Sequence, residues 1–154
     1  MEKTNELNKF LSYIHMGNSI YRIYYKEAVS LKNEKLTDLI VSISETFKKH
    51  EETITKEIEK YGEKATESLT MAGLIGVYKE KMKNFKDDFV VVTSAIKATN
   101  MGLISSLKFV SENKALPKST KKLLFKVIDD YVQIIDDLKN YLTDKEYRDN
   151  YKKN

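Results

Sequence analysis

The stretch 68-SLTMAGLIGVYKEKMKNFKDDFVVVTSAIKATNMGLISSLKFVSE-112 decides how this chain folds, because it reads either as one helix or as two. Drawn as one, it holds about 45 residues and runs roughly 68 Å at 1.5 Å per residue. The helical patterns before it, about Thr4 to Ser30 and about Asn33 to Tyr61, reach only about 40 Å each. A break near Phe85 to Asp88 removes the mismatch, since Asp87 or Asp88 has the short carboxylate that caps a new helix. The spacing therefore predicts one helix from about Ser68 to Asn84 and a longer one from about Asp88 to Asn113.

The longer segment echoes the start of the chain. Met16 and Gly17, with Glu27 ten positions beyond the glycine, are matched by Met101 and Gly102 with Glu112. At a shift of one residue, Glu45, Phe47, Glu52, Ile54 and Ile58 are answered by Asp129, Tyr131, Asp136, Leu138 and Leu142. Two similar helical hairpins result, and their natural packing is a pseudo-symmetric all-α four-helix bundle. A pseudo-two-fold axis makes the second and third bundle helices parallel, so the chain between them must travel back along the bundle. The helix from about Ser68 to Asn84 covers about 25 Å of that return.

Turn signals are few and legible, with five glycines and one proline in 154 residues. Thr4 or Asn5 caps the first helix, whose inward stripe is Leu7, Leu11, Ile14, Asn18, Tyr21, Tyr25 and Ala28, widened by Phe10, Gly17 and Tyr24. Asn33 caps the second, with Leu36, Ile40, Ile43, Phe47, His50, Ile54, Ile58 and Tyr61 inward, and Gly62 ends it. Pro117 precedes the last helix, Ser119 or Thr120 caps it, and Leu124, Val127 or Ile128, Tyr131, Ile134 or Ile135, Leu138 and Leu142 form its buried face. One domain spans 1–154, with a tail that frays from about 144 to 154.

Composition removes several classes of function. Cysteine is absent, which excludes disulfides, thiolate zinc sites and cysteine nucleophiles. MEKTNELNKF opens with charges of both signs and no apolar leader, and the apolar run Met71 to Tyr78 is far short of the ~20 residues of a spanning helix. A soluble, cytoplasmic protein is expected. The net charge of +4 comes from finely mixed acids and bases, the mark of solvated helix surfaces rather than of a nucleic-acid partner. No phosphate-binding glycine loop, Ser-His-Asp order or paired catalytic carboxylate motif is present, and no cofactor is implied.

His50 lies on an apolar stripe, where a histidine is costly unless partnered, and Asn18 on the facing helix is its expected partner. His15 has polar neighbours on the helical net and is expected to face water or the bundle's edge. Gly17 and Gly102 each interrupt a helix at about 1 kcal/mol relative to alanine. Close helix packing is the first explanation and a ligand cavity the second. Such a pocket would sit at mid-height, lined by Met16, Gly17, Asn18, His50, Thr99, Met101 and Gly102.

LNKFLSYIHMG (7–17), FKKHEETITKEIEKYG (47–62), MAGLIGVYKEKMKNF (71–85) and AIKATNMGLISSLKF (95–109) together resemble bacterial ferritin-like proteins of unknown function, distantly similar to rubrerythrins. The resemblance covers nearly the whole chain and implies a ferritin-like bundle with one long crossover. It also implies where metal would bind: one glutamate on each of two helices and an E-x-x-H pair on each of the others. Glu27 and Glu112 match the lone glutamates. The second helix departs from the pattern, since Phe47 stands three residues before His50, and the last helix has no histidine. A standard two-metal centre is therefore not expected, and His50, Glu27 and Glu112 are the residues left for an irregular one.

The leading expectation is a non-enzymatic module that associates with itself or another protein. Its contact surface is placed on the crossover helix at Tyr78, Met82 and Phe85, although most of that helix's apolar face is expected to be buried on the bundle. One alternative is metal-dependent redox or storage chemistry. The other is peripheral binding of an anionic membrane through the same helix, whose apolar face is flanked by Lys79, Lys83 and Lys86.

Overall fold

Side chains that can close a helix end with their own oxygen set the boundaries of this fold. A computed structural model describes residues 2–153, with side chains from 5 to 145. It contains five helices: α1 (Glu2–Ser30), α2 (Glu34–Lys60), α3 (Met71–Lys81), α4 (Asp88–Glu112) and α5 (Lys118–Lys153). No strand occurs among the described residues. Asn33 caps α2 by accepting from the Leu36 amide at 3.0 Å, Thr70 caps α3 through the Gly73 amide at 3.0 Å, and Asp87 caps α4 through the Val90 amide at 3.0 Å. Gly62 follows α2 in the left-handed region at φ 79°, where a side chain is disfavoured.

Contacts between helices fix their directions. Phe10 stacks on Phe109 at 5.1 Å, Tyr21 meets Thr99 at 2.6 Å, and the Tyr24 hydroxyl donates to the Ser94 carbonyl at 3.2 Å, so α1 and α4 are antiparallel. On the other side Phe47 meets Tyr131 at 5.8 Å and Thr120 donates to Glu57 at 2.7 Å, making α2 and α5 antiparallel too. It follows that α2 and α4 run parallel. At one end a single polar cluster joins their starts: Asn33 Nδ2 donates to the Tyr141 hydroxyl at 2.8 Å, and Tyr141 and Lys145 donate to Asp88 at 3.0 and 2.6 Å.

The core is largely the face the helical spacing selects, but Tyr61, expected inward, is 39% exposed. Tyr24 is fully buried while Tyr25 is exposed, and the α5 stripe ends on Tyr141 rather than Leu142. Thr120 does not cap α5. Lys121 N donates to the Pro117 carbonyl there, and Thr120 is buried between Glu57 and the Tyr61 hydroxyl. Helix α1 begins at Glu2, ahead of Thr4 and Asn5, and α5 is continuous to Lys153. The side chains beyond 145, where fraying is expected, lie outside the described residues.

The largest difference concerns α3. It is 11 residues long, shorter than expected, and it lies against α1 through its small residues rather than its large ones. A Cβ on Gly76 would stand 2.5 Å from Met16 Cε, and one on Gly73 would stand 3.7 Å from Met16 Sδ. Because the glycines let the backbone approach Met16, the bulky face of α3 points outward: Met71 is 74% exposed, Tyr78 65% and Met82 71%, with Leu74 and Ile75 about half exposed. Phe85, expected on the exposed surface, is only 6% exposed and stands edge-on to Tyr24 at 5.9 Å.

Candidate functional site

Between α1, α3 and α4 lies a cavity of about 510 Å³, within the range of small-molecule sites. Ile14, Met16 and Ile20 of α1 and Ala98 and Met101 of α4 form apolar walls, and Tyr21, Phe47 and Tyr131 close the floor. Five of the residues expected around a mid-height pocket line it: Met16, Gly17, Thr99, Met101 and Gly102. Asn18 and His50 do not. Asn18 turns toward Glu51, donating at 2.8 Å, and His50 packs on the α2/α5 side.

The two helix-interior glycines behave as cavity wall. A Cβ on Gly17 would find nothing nearer than Phe47 at 4.0 Å, and one on Gly102 would touch the Tyr131 ring at 3.4 Å. Close packing, the first explanation for Gly17 and Gly102, does not hold at Gly17, holds at Gly102 against the Tyr131 ring, and is tightest at Gly76. The paired contacts, Gly17 with Phe47 and Gly102 with Tyr131, also place the sequence echo at equivalent points of the two hairpins.

Polar groups in the cavity are largely self-satisfied. Thr99 donates to the Ala95 carbonyl at 2.8 Å and sits 2.6 Å from the Tyr21 hydroxyl. Burial holds the Tyr21 and Tyr131 hydroxyls well above the usual phenol range, so both stay neutral. Lys79, Lys83 and Lys97 line the cavity yet are exposed to solvent, which places them at its mouth with Glu80. Glu80 pairs with Lys83 at 2.6 Å, and its charge adds to the burial that keeps Tyr24 neutral.

His50 is 4% exposed, and its Nε2 donates to Asp130 at 2.8 Å while Nδ1 has no hydrogen-bond partner. Burial pushes its pKa below the usual histidine value, and the Asp130 bond only partly opposes this. Asp130 of α5 reaches His50 because α2 and α5 are neighbours. His15 is partly buried, and its Nε2 donates to the Thr66 carbonyl at 2.7 Å while Nδ1 lies 3.6 Å from Glu51. Asn8 holds the same loop, accepting from Thr66 N at 2.8 Å.

The metal candidates do not converge. Since α1 and α4 are antiparallel, Glu27 lies level with about residue 92, some 30 Å along the axis from Glu112. Glu112 is exposed and 3.9 Å from Lys108, and His50 faces Asp130 instead. No three His, Asp or Glu groups among the described residues stand close enough to share an ion. The donor set does not fit the two-metal centre that the ferritin-like resemblance implies.

Helix α4 is, by length and composition, apolar enough to cross a membrane, a property the expected absence of a spanning segment overlooked. Here it packs Val91, Val92, Ala95 and Phe109 into the core and exposes Phe89, Met101, Ile104 and Leu107.

Fold and site together define an all-helical protein with an apolar cavity under a short helix whose large side chains face out. Comparison with family models, curated proteins and solved structures found no significant match.

Proposed function

We propose that this chain is a non-enzymatic binding module, a ferritin-like bundle of two hairpins with α3 as its crossover, that works by associating with protein. The parallel α2 and α4, joined through α3, support the ferritin-like arrangement. The observation that carries the association reading is the outward face of α3, where Met71, Leu74, Ile75, Tyr78 and Met82 are all half or more exposed. Lys79, Lys81, Lys83 and Lys86 accompany that face, against one acid, Glu80. Its complement is an apolar surface with acidic flanks, and this chain carries one. Phe125 and Val132 on α5 are about half exposed, and Asp129 and Asp136 share their spacing along the helix, Asp136 being paired with Lys139 at 2.8 Å. The partner is therefore a second copy, with α3 of one chain on α5 of the next.

Sedimentation velocity over a concentration series tests this. Self-association is expected, weakening as salt rises and abolished by Tyr78→Glu or Val132→Lys with helicity unchanged. A chain that stays monomeric, or one whose association ignores both substitutions, refutes the reading. Co-sedimentation with anionic vesicles that Tyr78→Glu removes would assign the face to a membrane and equally refute it.

A further inference from the structure

We propose that the cavity beneath α3 binds a single-chain amphiphile, with the alkyl chain among Ile14, Met16, Ile20, Phe47 and Ala98 and an anionic headgroup, carboxylate or phosphate, at Lys79, Lys83 and Lys97. The alkyl walls lie on the opposite side of α3 from the apolar residues of the association reading, while Lys79 and Lys83 border both.

Four observations carry it. The first is room: about 510 Å³ is open between three helices, a volume that a packed protein interior does not ordinarily leave. The second is how the room is made. Four of the chain's five glycines, Gly17, Gly73, Gly76 and Gly102, line the cavity. At Gly17, in the middle of α1, nothing lies within 4.0 Å of where a Cβ would be except Phe47, so packing does not require the glycine and the missing side chain enlarges the void. The third is what the walls offer. Aliphatic and aromatic groups dominate, and the Tyr21 and Thr99 hydroxyls are occupied by one another and by the Ala95 carbonyl. Among Ile14, Met16, Ile20, Phe47 and Ala98 an alkyl chain meets carbon, whereas a polar solute would lose its hydration there without replacement.

The fourth is the charge at the mouth. Three lysines and one glutamate line it, and Lys83 is engaged by Glu80 at 2.6 Å and reaches Ser94 Oγ at 3.5 Å. Lys79 and Lys97 have no ion-pair partner among the described residues. A carboxylate or phosphate placed there is attracted, while an alkylammonium is repelled. Both lysines are exposed, so the attraction is modest and sets headgroup preference, and the apolar walls set the bulk of the affinity.

Calorimetric titration of the full chain with dodecanoate, dodecyl phosphate, dodecanol and dodecyltrimethylammonium, each below its micelle-forming concentration, tests the site. One molecule per chain is expected, with both anions binding roughly tenfold more tightly than the alcohol and the ammonium weakest. The double variant Lys79→Gln, Lys97→Gln should bring the anions down to the alcohol's affinity and leave the alcohol unchanged. Ala98→Leu, which keeps helix propensity while filling the cavity, should weaken all the ligands, and Tyr78→Glu on the outer face should weaken none. A preference for phosphate over carboxylate identifies a phospholipid-derived ligand, and the reverse a free fatty acid. Absence of binding, equal affinity for anion and alcohol, or binding that survives Ala98→Leu but is lost in Tyr78→Glu overturns the proposal.

Discussion

Replacing Gly17 by alanine isolates the reason for a glycine in the middle of α1. Alanine is favoured over glycine in a helix interior by about 0.8–1.0 kcal/mol. The added methyl would lie 4.0 Å from the Phe47 ring, an ordinary contact, and meets nothing closer. No clash offsets the gain, so Gly17→Ala should stabilise the chain by about 1 kcal/mol. For a chain of this size that is roughly 2–4 °C in Tm. Urea titration followed by far-ultraviolet circular dichroism reads the change as a higher midpoint at unchanged slope. The neighbouring glycines set an order. Gly102→Ala, 3.4 Å from the Tyr131 ring, should gain less. Gly76→Ala, 2.5 Å from the flexible end of Met16, should gain nothing or lose. Gly62→Ala should lose about 1 kcal/mol, because φ there is 79°. A destabilised Gly17→Ala would show that α1 needs close approach at this point and would remove the argument that the glycine shapes a cavity.

Two further outcomes follow from buried groups. Phe85→Ala should cost about 3 kcal/mol in urea denaturation, because its ring is buried on Tyr24; a loss below about 1 kcal/mol would mean that the ring does not anchor the α3–α4 connection. His50 is neutral in the fold with its pKa held below the ordinary value, so below pH 6.5 the unfolded chain binds the extra proton and stability falls with pH until the folded pKa is reached. Asp130 and Lys126 are the charges that face it, and Asp130 stays ionised through this window, because the Lys126 and His50 bonds outweigh the burial that raises its pKa. The fall is at most about 1.4 kcal/mol per pH unit. His50→Gln should remove that component of the slope between pH 6.5 and 5, and an unchanged slope would show that folding does not shift the His50 pKa.

Much of the scaffold was legible because it is written in local chemistry. The caps at Asn33 and Asp87, the stop at Gly62 and the break before Asp88 depend on a few neighbouring residues each. The level of the cavity was legible through Gly17 and Gly102, since a glycine inside a strong helix pattern is a visible cost. What could not be read was the choice of face on α3. That helix has a bulky face and a glycine face, and the rule that large apolar residues turn inward fails when the small ones fit Met16 better. Partners across the fold were equally hidden. Asp130 belongs to His50, and Glu51 to Asn18, because of which helices become neighbours, and no spacing within one helix encodes that.

The two ends of α3 are tethered by different chemistry. Before it, the loop is tied to α1 by partly exposed hydrogen bonds between Asn8 and His15 on one side and Lys64 and Thr66 on the other, each worth about 1 kcal/mol. After it, the chain is plugged into the core by Phe85, and withdrawing a buried aromatic ring costs about 2–3 kcal/mol. Water competes readily for the first tether and not for the second. By these figures the two tethers are comparable in strength, so α3 is held at both ends, by hydrogen bonds at Thr66 and by a buried ring at Phe85.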